Sequence, residues 1–170
     1  MSILAERNFS LISLPLFYFI GFLPHPIKVG VLSKSSHKFN NLQPRQNVEE
    51  ASPVLDPKSK KLIQRLEATH YNSLEIFPLF AAAILSAHIA KLPIRTRNLF
   101  AITFLTSRIA FNVIYALQNS QKAAVRVLII LYLYKFTHKK IQALRSIAWM
   151  IGVGSNFYIL TKSALNLCNV

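Results

Sequence analysis

Four blocks of mainly apolar residues follow one another along the chain, separated by polar connections. They cover residues 11–32, 76–90, 99–117 and 147–167. Three of these blocks approach the roughly 17–25 residues that an α-helix needs to cross the hydrocarbon of a bilayer. The second block is shorter, but its helix gains length if it begins near Lys61. The pattern therefore predicts an all-α integral membrane protein, a four-helix bundle with spans over about 10–32, 62–90, 95–117 and 145–167.

Local signals place several helix ends. Asp56 followed by Pro57 is typical of a helix start, with Asp as the cap and Pro at the first helical position. Leu92 and Pro93 end that helix, and the third helix is expected to begin near Ile94. The first span ends either at the proline pair around residues 24–26 or, with a kink, near residue 32.

Residues 125–142 fit none of the four spans. Their apolar centre, residues 127–134, is too short to cross hydrocarbon and too apolar for an ordinary loop. An interfacial helix is one interpretation, with Tyr132 and Tyr134 at the depth of the lipid headgroups. The alternative is an insertion, or a retained intron, that lengthens a short connection into the fourth helix.

The charge is strongly one-sided, with a net charge of +14 and 52% apolar residues. Nucleic acid is an improbable partner because the basic residues follow the membrane pattern, in which cytoplasmic connections are the basic ones. The two outer connections are rich in cations, whereas the middle one carries only three. This asymmetry places the outer connections in the cytosol and predicts both termini on the non-cytosolic side. Anionic lipid headgroups are the expected phosphate partner. The middle connection holds Lys91, Arg95 and Arg97, and the outer two hold Lys34, Lys38, Arg45, Lys58, Lys60, Lys61, Lys122, Arg126, Lys135, Lys139, Lys140 and Arg145.

One face of the second helix is polar. At about 100° per residue, Arg65, Asn72 and Glu75 fall within an arc of roughly 80°. Charged groups at membrane depth face the interior of a bundle or a binding site, because hydrocarbon does not solvate them. Glu75 is therefore expected to have a cationic partner, for which Arg108 is a candidate.

The third helix carries a second polar face. Arg108, Asn112 and Tyr115 lie within an arc of about 60°, and Phe111 lies beside it. Both polar faces fit a binding site, and both also fit hydrogen bonds that only join helices. In the fourth helix, small residues allow a close approach of a neighbouring backbone, and Lys162 can reach towards the interface.

A set of motifs on three helices is specific in combination. It comprises residues 69–75 (Thr-His-Tyr-Asn-Ser-Leu-Glu) with Phe77-Pro78, then Arg108 and Tyr115, then Leu144-Arg145-Ser146 before Trp149 and Gly152. This set resembles the MAPEG family, the membrane-associated proteins in eicosanoid and glutathione metabolism, in a branch similar to that of fungi and other lower eukaryotes. Members of that family have four-helix subunits that form trimers and bind glutathione between subunits near the cytosolic face.

The resemblance implies roles for individual residues. It implies that glutathione is bound by Arg65, His70, Asn72, Glu75 and Arg108. It also implies that Tyr115 and Arg145 are catalytic and that no metal is involved. Lys122 and Arg126 compete with Arg145 for the position of the catalytic arginine. Ala68, Ile76 and Phe111 depart from residues that are common in catalytic members.

Two functions follow from these observations. The first is a glutathione-dependent transferase or peroxidase of an endomembrane, such as the endoplasmic reticulum, acting on hydrophobic electrophiles or lipid hydroperoxides. The second is a non-enzymatic membrane protein of the same fold, whose polar faces only hold the helix bundle together. A glutathione-binding measurement separates them.

Overall fold

The computed structural model describes residues 7–34, 40–43, 46–118 and 138–169, with side chains from residue 142 onwards in the last stretch. All regular structure in these ranges is helical. A 3-10 turn, Ser10–Ile12, leads into the first of six α-helices. They are α1 (Ser13–Phe22), α2 (Pro24–Ser33), α3 (Asn47–Ala51), α4 (Pro57–Ile89), α5 (Ile94–Leu117) and α6 (His138–Cys168).

The first apolar block forms two helices that follow each other with almost no interruption. Leu23 separates α1 from α2, and its amide still donates to the carbonyl of Phe19 at 3.1 Å. Pro24 is the first residue of α2, where its missing N–H costs nothing. The block thus continues to Ser33, which matches the longer of the two ends that the sequence allows.

Helix α4 begins where the sequence predicts. The side chain of Asp56 accepts hydrogen bonds from the amides of Lys58 and Ser59, and Pro57 is the first helical residue. The helix then runs for 33 residues and ends at Ile89. Lys91 takes a positive φ of 51° in the short turn that follows, before α5 starts at Ile94.

Helix α6 begins earlier than the sequence suggests. The expected start lies near residue 145, whereas the helix starts at His138. The difference arises because residues 138–143 are mostly polar, so the apolar pattern gives no sign of a helix there. Residues 138–142 therefore belong to α6, and the rest of the predicted interfacial or inserted segment, residues 125–137, lies outside the described residues.

The core forms where α1 crosses the long helices. Helix α6 packs against α5 and α4, while α1 and α2 pack on α4. Phe80 and Phe104 stack with ring centroids 3.9 Å apart, and the ring of Phe17 meets Phe104 edge-on at 4.9 Å. Gly21 lets α1 approach α4 closely, because a Cβ there would lie 2.7 Å from the Cβ of Ser73.

Three stretches of the described chain are long and apolar enough to cross a membrane: Ser10–Ser33, Pro57–Ile89 and Ile94–Leu117. Helix α6 is as long as these but more polar, and it buries Asn156 and Ser163 completely. That it forms a fourth span remains a prediction.

Candidate functional site

A cavity of about 420 Å³ opens between α4, α5 and the first half of α6. This volume lies in the roughly 300–1,000 Å³ range of small-molecule sites. Its walls combine a cation, an amide and hydroxyls with aromatic and thioether side chains. The lining residues are Asn72, Phe111, Tyr115, Arg145, Ser146, Trp149 and Met150. Three of the predicted site residues, Asn72, Tyr115 and Arg145, therefore share one cavity.

Arg145 and Tyr115 are in direct contact at this cavity. The guanidinium carbon of Arg145 lies 4.7 Å from the centroid of the Tyr115 ring, a cation–π distance. A nitrogen of the same guanidinium donates to the side-chain carbonyl of Gln118 at 2.8 Å. The geometry thus holds a cation against the ring of a tyrosine. Of the three candidates for the catalytic arginine position, Lys122 and Arg126 lie outside the described residues.

Two polar residues of α4 lie at the edge of the same region. The side-chain amide of Asn72 donates to the carbonyl of Ala68 in its own helix at 2.8 Å. Arg65, two turns earlier, donates from Nε to the carbonyl of Ala116, the residue after Tyr115, at 3.2 Å. Arg65 therefore ties α4 to α5 directly behind Tyr115, although it is not among the residues that line the cavity.

Arg108 is buried behind two of the lining residues, Phe111 and Trp149. Only 1% of it is exposed, and Nη2 donates to the carbonyl of Trp149 at 3.3 Å. Its guanidinium lies 5.5 Å from the ring centroids of both Phe104 and Phe111. Among the described residues its Nε has no hydrogen-bond partner. Arg108 thus fixes the position of α6 behind the cavity.

Gly152 makes this arrangement possible. A Cβ at that position would lie 2.8 Å from Nη2 of Arg108 and 2.8 Å from Oγ of Ser107. The absence of a side chain lets α6 rest directly on the buried guanidinium. The sequence predicts a close helix approach at this glycine but gives no indication of which residue fills the space.

His70 faces the other side of α4. Its Nδ1 lies 2.9 Å from the carbonyl of Gly21, and its ring centroid is 5.6 Å from that of His25. Close by, the ammonium of Lys28 forms an ion pair with Glu67 at 3.1 Å. The structure therefore places His70 at the junction of α1 and α2, apart from the residues that line the cavity.

Glu75 lies on the surface of the subunit. It is exposed, and within the described part of the chain it has no ion-pair or hydrogen-bond partner. The pairing with Arg108 that the sequence suggests is not formed, because the Arg108 guanidinium turns towards Trp149 and Gly152 of α6. Helical periodicity groups residues on one face, but it does not give the rotation of that face towards its neighbours.

Two residues at the cavity were not expected from the sequence. Met150 lines it, and Gln118 accepts the hydrogen bond from Arg145. A signal for Met150 was available, because residues 145, 146, 149 and 150 lie on one face of a helix. No comparable signal indicated Gln118, which follows the last residue of α5.

Comparison with known proteins identifies the family. A family model described as the MAPEG family matches residues 12–165, which include every residue that lines the cavity. No curated protein and no solved structure matches the chain. Because the matched region covers most of the 170 residues and its helices are apolar, this chain is a membrane protein that belongs to the MAPEG family.

Proposed function

We propose that this protein is a membrane-bound, glutathione-dependent transferase or peroxidase that acts on hydrophobic electrophiles or lipid hydroperoxides. The observation that carries the proposal is the contact between Arg145 and Tyr115 in a cavity that also has aromatic and thioether walls. Membership of the MAPEG family agrees with it. The proposed site is near the cytosolic face of an endomembrane, such as the endoplasmic reticulum.

The donor set suits glutathione. Glutathione supplies a thiolate that displaces a leaving group from an electrophilic carbon. With a hydroperoxide, the thiolate attacks the terminal oxygen, the O–O bond breaks, and the released alkoxide is protonated to the alcohol. The glutathione sulfenic acid that forms reacts with a second glutathione to give the disulfide and water. The guanidinium of Arg145 and the hydroxyl of Tyr115 stabilise negative charge on sulfur, which keeps more of the thiol ionised at neutral pH. Phe111, Trp149 and Met150 form an apolar surface for the second substrate.

The proposed assembly is a homotrimer. Glu75 lies in a helix that is long and apolar enough to span a membrane, yet it is exposed on the isolated subunit. A carboxylate facing acyl chains is costly, so a second copy of the chain is the expected cover. In that arrangement Glu75 can form an ion pair with the ammonium group of glutathione, while Arg65 pairs with a carboxylate of glutathione.

The test uses the full chain in lipid nanodiscs. Glutathione binding is measured by calorimetry, and turnover is measured with a chlorodinitrobenzene-type electrophile and with a lipid hydroperoxide. Arg145→Gln is expected to weaken binding or turnover by about tenfold or more, because it removes a charge-assisted hydrogen bond. Arg95→Gln is the matched control, since Arg95 is exposed near the start of α5 and should leave both quantities unchanged.

A second variant separates binding of the amine from stabilisation of the thiolate. Glu75→Gln is expected to weaken glutathione binding without changing the pH dependence of thiolate formation, which ultraviolet absorbance reports. Arg145→Gln should shift that pH dependence upwards. If wild-type protein neither binds glutathione nor turns over either substrate, the proposal is wrong.

One observation favours the non-enzymatic alternative. Arg65 and Arg108 each donate to a backbone carbonyl of another helix in the same subunit, which is what polar groups do when they only join helices. In that case the alanine variants of Arg65 and Arg108 would lower stability, and glutathione would have no effect on the unfolding temperature of the wild type. A rise in that temperature with glutathione supports the enzyme.

A further inference from the structure

A second cavity, of about 280 Å³, lies between the start of α5 and the end of α6. Thr96 of its lining and Tyr115 of the first cavity are 19 residues apart on α5. At about 1.5 Å per residue they are separated by roughly 28 Å along the helix. The nearest lining residues of the two cavities, Met150 and Ser155 of α6, are five positions apart, about 7.5 Å along the helix. The second cavity therefore lies closer to the other end of the bundle, and it shares no lining residue with the first.

One end of this cavity is polar and cationic. Lys162 of α6 lines it, with its ammonium 3.3 Å from the hydroxyl of Tyr158 and 5.5 Å from the centroid of that ring. Thr96 contributes a hydroxyl from α5. Lys162 is six residues before the end of α6, about 9 Å along the helix axis, so its long side chain can extend towards the headgroups at that end.

The remaining wall is mainly apolar, with the hydroxyl residues Thr103 and Ser155 at the far end. Leu99 and Phe100 of α5 and Ile159 of α6 continue the cavity along the helices, away from Lys162. The groove thus has a cation at the headgroup level and hydrocarbon beyond it. A molecule that fits both parts has an anionic head and an acyl chain.

The described residues at this end of the bundle carry several cations. The turn between α4 and α5, which lies at the same end of the bundle as Lys162, has three cations in it or beside it: Lys91, Arg95 and Arg97. The acidic residues of the described chain all lie between residues 49 and 75, in α3, before α4, or in the first two thirds of α4. None of them reaches this end, so within the described chain Lys162 has no acidic partner there.

We infer that this groove binds one anionic phospholipid per subunit, with its phosphate beside Lys162 and one acyl chain along Leu99, Phe100 and Ile159. The site belongs to the leaflet opposite the first cavity. Lipid occupancy fills the gap between α5 and α6 and therefore stabilises the packing of α6. This inference does not depend on the proposed enzyme activity.

The test is native mass spectrometry of the full chain released from detergent, with phosphatidylglycerol and phosphatidylcholine as probes. Phosphatidylglycerol is expected to bind more tightly than phosphatidylcholine, at one molecule per subunit. Lys162→Gln should weaken that binding about fivefold, the usual effect of one basic residue at a membrane surface. Lys91→Gln, which removes the same charge at the same end but outside the cavity, should leave it unchanged.

Two further measurements complete the test. Thr103→Trp fills the groove from α5 and should abolish the tightly bound lipid, while glutathione binding stays as in the wild type. Inorganic phosphate should not displace the lipid, since it lacks the acyl chain. Equal effects of Lys162→Gln and Lys91→Gln, retention of the lipid in Thr103→Trp, or displacement by phosphate alone would each overturn the inference.

Discussion

At the scale of single residues, the site depends on a cation buried without a carboxylate. Arg108 is held by one backbone carbonyl and by the faces of two phenylalanine rings, and its Nε has no hydrogen-bond partner among the described residues. Burying a charge in this way is costly, so the surrounding contacts must be tight to maintain it. Gly152 allows one of them, because a Cβ there would lie 2.8 Å from the guanidinium.

Gly152→Ala is expected to destabilise the protein by about 1–3 kcal/mol, the usual cost of overpacking a core. The new Cβ would lie 2.8 Å from the Arg108 guanidinium, which cannot move freely because Phe104 and Phe111 enclose it. Unfolding is followed in detergent by the fluorescence of Trp149, the only tryptophan of the chain.

Gly154→Ala is the matched control, because nothing lies within 4 Å of a Cβ at that position. There the substitution should be neutral or stabilise the helix by up to about 1 kcal/mol, since alanine favours helix more than glycine does. Equal effects of the two substitutions would contradict the packing of Gly152 on Arg108.

The residues of the site were only partly accessible from the sequence, for a physical reason. Periodicity groups side chains on one face of one helix, and the family motifs add Tyr115 and Arg145. Contacts between helices depend on the rotation and height of each helix, which no local pattern encodes. Glu75 and Arg108 therefore appeared to be a pair, whereas Arg108 turns to α6 and Glu75 to the subunit surface.

At the scale of elements, the sequence predicts those helix ends that have a local chemical signal. Asp56 with Pro57 marks the start of α4, and Pro93 marks the turn before α5. The start of α6 has no such signal, because polar residues continue a helix beyond the hydrocarbon without any apolar pattern. The helix consequently extends to His138, well before the expected residue 145.

The cap of α4 makes its stability depend on pH. Hydrogen bonds from the side chain and the amide of Ser59 hold the pKa of Asp56 below its ordinary value. The carboxylate therefore stabilises the fold above the ordinary pKa of Asp, about 3.9. This contribution is lost as the pH falls through the lowered pKa of the folded state.

Asp56→Ala should lower the unfolding temperature at neutral pH, and the difference from the wild type should narrow below about pH 3.9. Asp56→Asn keeps an acceptor oxygen and is expected to lose less, with little dependence on pH. The measurement is circular dichroism of the helical signal during heating at several pH values. A difference between wild type and Asp56→Ala that grows in acid would contradict this account of the cap.

At the scale of the whole molecule, hydrogen bonds at one end of the bundle bear on the number of spans. Asn98 at the start of α5 donates to the carbonyl of Arg7, just before the first span. Asn166 near the end of α6 donates to the carbonyl of Ala90 in the turn between α4 and α5. The end of α6 therefore lies at the same end of the bundle as the start of the first apolar stretch, the end of α4 and the start of α5, all of which belong to stretches apolar enough to cross a membrane.

The length of α6 leads to the same conclusion. Its 31 residues extend for about 46 Å, more than the roughly 30 Å of hydrocarbon. Its polar residues do not exclude it from the membrane, since Asn156 and Ser163 are buried against the other helices rather than exposed to lipid. We therefore predict four spans, with both ends of the described chain on the non-cytosolic side.

Cys168, the only cysteine of the chain, lies exposed at the end of α6 and tests this topology directly. In sealed microsomes a membrane-impermeant maleimide should label it only after the membrane is permeabilised. Val54→Cys, placed in a Cys168→Ser background, is the control: residue 54 is exposed in the connection before α4 and should be labelled in intact vesicles.

With only three spans, Cys168 would lie on the same side as residue 54, and both would react before permeabilisation. Because α6 supplies Arg145 to the first cavity and Lys162 to the second, that result would place these two cations at the same surface. The separation of the two cavities across the bilayer would then be lost.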